Sequence, residues 1–290
     1  MICTLCPRRC GAERTETAGA GFCAQPALPV VARAALHHWE EPSISGTRGS
    51  GTVFFTGCVL RCVFCQNGKI SRENFGKIIT PQRLRQLFEE LIAQGAHNIN
   101  LVSPTPYAHV LREVLVRPLP VPVVWNTGGY ERVETLRGLE GKVQIWLPDL
   151  KYADGALAEK YSAAEDYFPV ATEAILEMYR QVGDYELDSD GLLKKGVVIR
   201  HLMLPGALDN TKAVMDWVAD HFRPGQVLFS LMAQYTPQSG AEGLLARRVP
   251  KMEYRAAVQY MENLGIVDGF CQDAASAIAE YTPDFDLTGL

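Results

Sequence analysis

The sequence predicts an α/β fold in which six parallel strands alternate with helices around a partial barrel. Three observations lead to this prediction. Six short apolar runs recur over residues 51–290, and segments of helical periodicity separate them. The runs are continuously apolar, as is typical of strands covered by helices on one face and by a filled interior on the other. At least four runs end in polar loops, which meet at one mouth in a TIM-like (β/α)6 partial barrel.

Size and charge agree with one large domain and a small appendage. The 290 residues are 47% hydrophobic, which is enough for a sizeable core. The net charge of −5 comes from mixed signs, so no nucleic-acid or anionic-membrane footprint is indicated. No apolar run approaches the roughly 18 residues of a membrane span, and the N-terminus shows no signal region. We therefore expect a cytoplasmic protein without nucleic-acid or membrane partners.

Residues 1–50 are predicted to form a Cys-rich metal-binding extension, followed by the barrel and a C-terminal helical region over residues 51–290. Four thiols in this extension are enough to close a tetrahedral shell. They are Cys3, Cys6, Cys10 and Cys23. Clustered cysteines favour metal ligation over disulfides, but the spacing fits either zinc or a second iron–sulfur cluster. Glu40, Glu41 and residues 46–51 are interpreted as a connector without a chemical role.

The first predicted strand, over residues 52–56, runs into a loop with three further cysteines. Cys58, Cys62 and Cys65 follow a C-x3-C-x2-C spacing. Three thiolates on one loop can hold three corners of an iron–sulfur cube. The fourth iron is then left without a protein ligand, so it can bind a substrate-like molecule.

The next three strands, over residues 99–102, 121–125 and 143–147, are each predicted to end in polar residues. In chain order these residues are Ser103 and Thr105, Asn126 and Thr127, and Asp149 and Lys151. Helical periodicity separates the strands, and Pro81 opens the first helix at its first turn. Because the carboxyl ends of the strands share one edge, we expect these polar residues to line the barrel mouth.

The fifth strand, over residues 197–204, carries Arg200 and His201 side by side. Side chains alternate along a strand, so only one of the two can point into the barrel, and Arg200 is slightly preferred. The polar stretch 183–196 before it is interpreted as an insertion, formed as a hairpin. A sixth strand over residues 227–232 and a long helix over residues 252–263 complete the chain, and the lone Cys271 is interpreted as a packed thiol.

With these elements in place, the chain resembles the radical S-adenosylmethionine (SAM) superfamily through Cys58-x3-Cys62-x2-Cys65 at the end of the first strand. The resemblance implies a [4Fe–4S] cluster on these three cysteines and SAM at the open iron. It further implies reductive cleavage of SAM to a 5′-deoxyadenosyl radical that abstracts a hydrogen atom. Anaerobic chemistry and an electron donor of the flavodoxin or ferredoxin type are implied as well.

Within the superfamily the chain is most similar to the pyruvate formate-lyase activating enzymes and to an activating-enzyme-related branch. Asp149-Leu150-Lys151 resembles their D-x-K element, and Asn126-Thr127-Gly128 resembles their Thr-Asn-Gly turn with the first two residues exchanged. The N-terminal Cys-x-Leu-Cys-Pro-Arg-x-Cys pattern is similar to the related branch. The superfamily usually carries a Gly-Gly-Glu element that binds the SAM amino group. At this position the chain has Ser103-Pro104-Thr105-Pro106, which contains no glutamate.

The resemblance also implies roles for individual residues. Phe64 would pack on the adenine of SAM, and Asn126 with Thr127 would reach its ribose. Lys151 would bind the SAM carboxylate and Asp149 a cation or substrate, unless the two are a plain ion pair. The remaining cofactor contacts would come from Ser103, Thr105, and Arg200 or His201.

Three functions are compatible with these features. The preferred one is a radical SAM enzyme that abstracts hydrogen from an unidentified small molecule. The alternative is an activase that abstracts hydrogen from a glycine of a partner protein, since an open barrel side would admit a protein loop. A non-enzymatic role in iron–sulfur storage or electron transfer leaves the strand-end elements at Asn126 and Asp149 unexplained.

Overall fold

The computed structural model describes residues 1–272 and 283–290, in which one largely parallel sheet organises the chain. Its strands are β1 (Val30–His37), β2 (Ser50–Phe55), β3 (Lys77–Ile78), β4 (Ile99–Val102), β5 (Val123–Thr127), β6 (Ile145–Pro148), β7 (Glu186–Leu187), β8 (Leu193–Leu202), β9 (Leu228–Met232) and β10 (Gly269–Cys271). The helices are α1 (Pro42–Ser45), α2 (Gly68–Ser71), α3 (Pro81–Ala93), α4 (Ala108–Val114), α5 (Val133–Arg137), α6 (Gly155–Ser162), α7 (Tyr167–Val182), α8 (Leu208–His221) and α9 (Lys251–Asn263). Among these described residues, no helix has both the length and the apolar character of a membrane span.

The predicted partial barrel is confirmed. Its six strands β2, β4, β5, β6, β8 and β9 are neighbours in that order, and every adjacent pair is parallel. The sheet does not close, because the order across it ends at β10 on one side and β3 on the other. The helices that connect parallel strands cover its outer face, as the continuous apolar runs predicted.

Additional strands extend the sheet at its ends. β1 pairs antiparallel with β2, although it lies in the segment that the sequence assigned to the extension. β10 pairs parallel with β9. The insertion before the fifth strand is a hairpin as expected, in which β7 pairs antiparallel with the start of β8. The division of the chain at residue 50 stays a prediction, but β1 is part of the barrel sheet.

The barrel interior is filled by side chains from the strands and from α1. Ile44 of α1 is fully buried there against Val124, Ile145, Val198 and Leu228. Val124 precedes Trp125, which belongs to the outer core between sheet and helices, as alternation along β5 requires. A polar residue that faces inward near the carboxyl end of a strand therefore lies beyond this buried apolar cluster, at the barrel mouth.

Local sequence accounts for α3, the helix between β3 and β4. Pro81 occupies its first turn, and the Thr80 hydroxyl accepts a hydrogen bond from the Arg83 amide as an N-cap. Its buried face consists of Leu84, Leu87, Phe88 and Leu91. The helix start at Pro81 is confirmed.

Candidate functional site

The loop after β2 brings the second group of cysteines to the carboxyl edge of the sheet. Cys62 is buried, Cys58 and Cys65 are half-buried, and all three are free thiols. The loop lies tightly against the turn after β5, because a Cβ added at Gly128 would approach Leu60 Cδ1 to 2.8 Å. Glycine at this position therefore permits the close contact between the cysteine loop and the Asn126 turn.

The thiols of this loop receive hydrogen bonds from the surrounding protein. Ser162 Oγ donates to Cys62 Sγ at 2.9 Å, and the Leu60 amide donates to Cys58 Sγ at 3.4 Å. Burial raises the pKa of Cys58 to about 12 and also raises the pKa of Cys62. A bound metal ionises such thiols outright. Three thiols on one loop, with donors aimed at the sulfurs, fit a [4Fe–4S] cluster that has three protein ligands.

A polar cavity of about 190 Å³ lies beside the cysteine loop at the barrel mouth. Four of the predicted site residues line it: Asn126, Asp149, Lys151 and Arg200. Gln66 and Asn67, which directly follow Cys65, line the same cavity. The cysteine loop and the polar strand ends therefore face one common space.

Arg200 is the centre of the charge network in this cavity. Its Nε donates to Asp149 Oδ1 at 2.8 Å, its Nη1 to Glu40 Oε2 at 3.0 Å and its Nη2 to Asn126 Oδ1 at 2.7 Å. Asn126 Nδ2 in turn donates to Glu40 Oε1 at 3.1 Å. All three nitrogens of the guanidinium are thus engaged by protein groups, which makes Arg200 primarily an organiser of the mouth.

Asp149 and Lys151 form the second half of the network. Lys151 Nζ donates to Asp149 Oδ2 at 2.5 Å. Burial alone raises the pKa of Asp149, but Arg200 and Lys151 outweigh burial and lower it. Burial likewise lowers the pKa of Lys151, and the Asp149 charge outweighs it and raises the pKa. Both groups are therefore charged near neutral pH, which suits the binding of a zwitterionic ligand.

Glu40 is a site residue that sequence reasoning missed. The sequence pattern predicts a connector at this position, yet the Glu40 carboxylate lies in the mouth and accepts hydrogen bonds from Arg200 and Asn126. Burial raises its pKa, while Arg200 acts in the opposite direction. Neighbouring Glu41 is also buried, and its Oε2 has no hydrogen-bond partner among the described residues. The nearest sequence signal is Pro42, which starts a short helix that points Ile44 into the barrel.

Two threonines predicted to contact the cofactor are directed elsewhere. Thr105 Oγ1 and Thr127 Oγ1 each donate to Glu131 Oε1 at 2.6 Å, and Trp125 Nε1 donates to the same oxygen at 3.2 Å. Trp125 belongs to the helix-covered face of β5, so these hydroxyls turn away from the mouth. The expected hydroxyl contacts of Thr105 and Thr127 are corrected accordingly, while contacts through their backbone stay predictions. Glu131 is a buried carboxylate that the sequence pattern does not reveal.

Ser103 and Phe64 are not among the residues that line the mouth cavity. Ser103 has a left-handed backbone with φ of 56°, and its amide donates to the Asn126 carbonyl at 2.9 Å. That conformation costs about 1 kcal/mol for a residue other than glycine. The Phe64 ring is buried among Tyr152, Tyr161 and Tyr235, with ring centroids 6.2–6.5 Å away. The adenine contact of Phe64 and the amino-group contact of Ser103 stay predictions.

His201 does not reach the mouth. It is fully buried on the opposite face of β8, where Nδ1 pairs with the Leu150 carbonyl at 2.7 Å and Nε2 with Thr211 Oγ1 at 3.0 Å. Its expected cofactor role is corrected, because alternation along the strand gives the inward position to Arg200. Cys271 is exposed instead of packed.

We expect His201 to make stability fall with acid. Burial lowers its pKa to about 4 from an ordinary value of 6.5. The neutral ring therefore contributes stability that is complete above pH 6.5 and is lost as the pH falls toward 4, on the order of 2 kcal/mol. Urea unfolding at pH 7.5 and pH 5 should show this loss in the wild type and a smaller loss in His201→Gln. An equal loss in both proteins would contradict the prediction, since burial lowers the pKa of His37 and His109 as well.

The N-terminal cysteines lie in a segment that is docked on the barrel by two arginines. Buried Arg14 donates from Nη1 to Cys3 Sγ at 3.5 Å and to the Pro106 carbonyl at 2.7 Å. Arg8 donates from Nε to the Val59 carbonyl at 2.8 Å and from Nη2 to the Ser162 carbonyl at 2.7 Å. Arg8 thereby connects this segment to the cysteine loop and to the helix whose last residue donates to Cys62.

The two groups of cysteines are not arranged around a single ion. Within residues 1–272 and 283–290, no three His, Cys, Asp or Glu side chains are grouped so that they could hold a metal ion. In the N-terminal group, Cys3 and Cys6 are buried, Cys23 is half-buried and Cys10 is exposed.

Comparison with known proteins locates the family signal in the same part of the chain. The radical SAM superfamily model matches residues 52–147, which run from β2 to β6 and include all three loop cysteines. An uncharacterized protein of Methanocaldococcus jannaschii is 28% identical over 278 residues, covering 91% of this chain and 75% of that protein.

Two solved structures match parts of the chain. Methylornithine synthase covers 80% of this chain at 15% identity with a TM-score of 0.50, and the match spans 63% of that protein. A domain of the pyruvate-formate lyase-activating enzyme from Bacteroides vulgatus covers 67% of this chain and matches 91% of that domain, at 13% identity and a TM-score of 0.38. The first likeness supports the fold alone, and the second is too weak for a comparison of sites.

The family match, the unclosed parallel barrel and the three-cysteine loop at its mouth lead to one assignment. A match to this family implies an enzyme that uses a [4Fe–4S] cluster and SAM. Residues 52–147 of the chain match the radical SAM superfamily.

Proposed function

We propose that the protein cleaves SAM reductively at a cluster held by Cys58, Cys62 and Cys65, and that the resulting radical abstracts a hydrogen atom from a small-molecule substrate. One observation carries the proposal. The residues after Cys65 line the same cavity as Lys151 and Arg200, so a ligand of the open iron would lie against the charged strand ends. Such convergence of polar groups beside a metal site is typical of an active site.

The chain's own residues have separate tasks in this scheme. When bound, the cluster supplies the electron that cleaves SAM to the 5′-deoxyadenosyl radical. Lys151 offers a charged donor for the SAM carboxylate, and Asp149 holds that ammonium group in place. Glu40 and Arg200 keep Asn126 oriented toward the mouth. The aromatic group around Phe64 supplies an apolar wall near the third cysteine.

The proposal includes a second metal site at Cys3, Cys6, Cys10 and Cys23. Four thiols, one of which accepts a hydrogen bond from buried Arg14, are enough in number for either a structural zinc or a second [4Fe–4S] cluster, and they would have to move together to bind one ion. Burial raises the pKa of Cys6 to about 12, so this site too would ionise its thiols through the metal. A flavodoxin- or ferredoxin-type electron donor and a cytoplasmic location belong to the same proposal.

The test is anaerobic reconstitution with iron and zinc counted together. After reduction with dithionite and addition of SAM, we expect 5′-deoxyadenosine in the product mixture. About eight irons per chain would assign a second cluster to the N-terminal cysteines, and about four irons with one zinc would assign a structural zinc. A protein that holds four irons yet forms no 5′-deoxyadenosine would contradict the proposed function. Four irons without zinc would contradict the second metal site.

A further inference from the structure

A piece of the chain itself lies along one end of the open sheet. Residues 283–290, here called the closing segment, run along the free edge of β1. The Ala34 amide donates to the Thr288 carbonyl at 2.9 Å, and the Leu287 amide donates to the Ala32 carbonyl at 3.0 Å. The segment approaches so closely that a Cβ at Gly289 would lie 2.1 Å from the Ala34 carbonyl oxygen.

Side chains of the barrel hold the closing segment in place. Lys69 Nζ donates to the Phe285 carbonyl at 2.5 Å, and Arg33 Nη1 donates to the Asp284 carbonyl at 2.9 Å. Arg83 Nη2 donates to the Gly289 carbonyl at 3.1 Å. These anchors come from three separate parts of the fold, so the segment is tied along most of its length.

Phe285 inserts into the inner wall of the barrel. It is buried in a cluster with Ala32, Phe54, Ile70 and Val102, and its ring meets the Phe54 ring edge-on at 5.5 Å. Phe54 and Val102 also line the mouth cavity. Phe285 therefore occupies apolar space directly beside the proposed SAM and substrate cavity.

Pro283 brings the segment to the cavity itself. The cavity is lined by Phe54 of β2, by Met232 of β9 and by Pro283. The two strands belong to opposite sides of the open sheet, so Pro283 stands between them at the mouth. The cavity that remains is about 190 Å³.

We infer that the closing segment bars polypeptides from the barrel mouth and restricts the substrate to a small molecule, with Phe285 as the residue that determines this specificity. The inference rests on the proposed function for the identity of the site. A protein loop would have to enter through the open side of the barrel, where the segment lies. Its entry would require Phe285 to leave its apolar cluster and the backbone bonds to β1 to break.

Access to the mouth can be measured with thiol reagents of two sizes. Gln234 lines the cavity, so Gln234→Cys in the reconstituted Cys271→Ser protein gives a reporter at the mouth. The probes are N-ethylmaleimide and a maleimide on the N-terminus of a 15-residue glycine-rich peptide. The matched reporter is Glu242→Cys, an exposed position outside the mouth.

For each reporter we divide the labelling rate with N-ethylmaleimide by the labelling rate with the peptide maleimide. We expect this rate ratio to be about tenfold larger at residue 234 than at residue 242. Adding Phe285→Ala should raise the peptide rate severalfold, whereas Asp284→Ala, at an exposed side chain of the same segment, should leave the ratio unchanged. If Phe285→Ala does not fold, Phe285→Leu and Lys69→Met take its place, because both loosen the segment without emptying the cluster.

The inference would be overturned if the rate ratio at residue 234 equalled the ratio at residue 242 in the protein with an unchanged closing segment. It would also be overturned if none of the segment variants changed the ratio at residue 234. The labelling needs no SAM cleavage. A protein that excludes the peptide but forms no 5′-deoxyadenosine would therefore count against the proposed function while supporting the closed mouth. A protein that forms 5′-deoxyadenosine and admits the peptide would support the proposed SAM cleavage and contradict the closed mouth. The activase alternative would then be restored.

Discussion

Cys62→Ala is expected to abolish 5′-deoxyadenosine formation and to lower the iron content by about four per chain. Cys62 is the most buried of the three loop thiols, and it receives the hydrogen bond from Ser162. Two remaining thiols cannot hold a cube that normally has three protein ligands. The measurements are iron content after anaerobic reconstitution, the cluster absorption spectrum, and 5′-deoxyadenosine after dithionite and SAM.

Two further variants calibrate this result. Cys271→Ala removes an exposed thiol outside both cysteine groups and should retain full iron content and activity. Ser162→Ala removes the donor to Cys62 Sγ together with the hydrogen bond between Ser162 and Tyr152, and it leaves all three thiols in place. We therefore expect an intermediate loss of about 10–100-fold in cluster affinity or activity. If Cys62→Ala keeps the same iron and yields as much 5′-deoxyadenosine as the wild type, the cysteine loop does not hold the catalytic cluster.

The architecture could be predicted from the sequence because parallel strands leave a strong signal. A run such as Ile99–Val102 is buried on both faces, so it reads as a continuous apolar segment followed by a turn. Pro81 and Thr80 mark the helix start by local chemistry alone. β1 is harder to identify, because its antiparallel pairing with β2 joins residues as distant in sequence as Val31 and Phe55 and leaves no local pattern.

The site could be predicted only where residues follow a strand directly. Asn126, Asp149 and Arg200 lie at strand ends, so the barrel geometry brings them together. Glu40 comes from the connection between β1 and β2, and the insertion of Ile44 into the barrel carries its carboxylate to the mouth. No local pattern distinguishes such a glutamate from a solvated one.

Side-chain direction accounts for the residues placed wrongly. Thr105 and Thr127 lie in the expected loops, but a buried carboxylate on the far side of the sheet attracts both hydroxyls. Glu131 follows the Gly128-Gly129 turn in sequence, and its burial depends on Trp125 and on the two threonines. The position of a loop after a strand can be predicted from the sequence. The hydrogen-bond partner of its hydroxyl groups depends on tertiary packing.

Arg200→Met is expected to be the most destabilising single change in the mouth. Arg200 pairs with Asp149 and Glu40, and these three side chains are only 10–15% exposed. Removing the guanidinium leaves Glu40 without its cation and Asp149 with Lys151 alone. Breaking such a pair typically costs about 3–5 kcal/mol, because a buried charge loses its compensation. The free energy of unfolding from urea titration at pH 7.5 measures the loss.

Two control variants separate the effect of the uncompensated charge on the free energy of unfolding from the effect of lost packing. Lys195→Met breaks a surface pair with Glu186, in which the side chains are 40% and 63% exposed, and should cost at most about 1 kcal/mol. Glu40→Gln in the Arg200→Met background should recover part of the stability, since it removes the uncompensated charge and keeps the hydrogen-bonding shape. An Arg200→Met protein as stable as Lys195→Met, or a double variant no more stable than Arg200→Met alone, would mean that the network does not hold the mouth together. In that case Asn126 and Asp149 would owe their positions to the strand ends alone, and Arg200 would be available as a direct ligand for SAM or substrate.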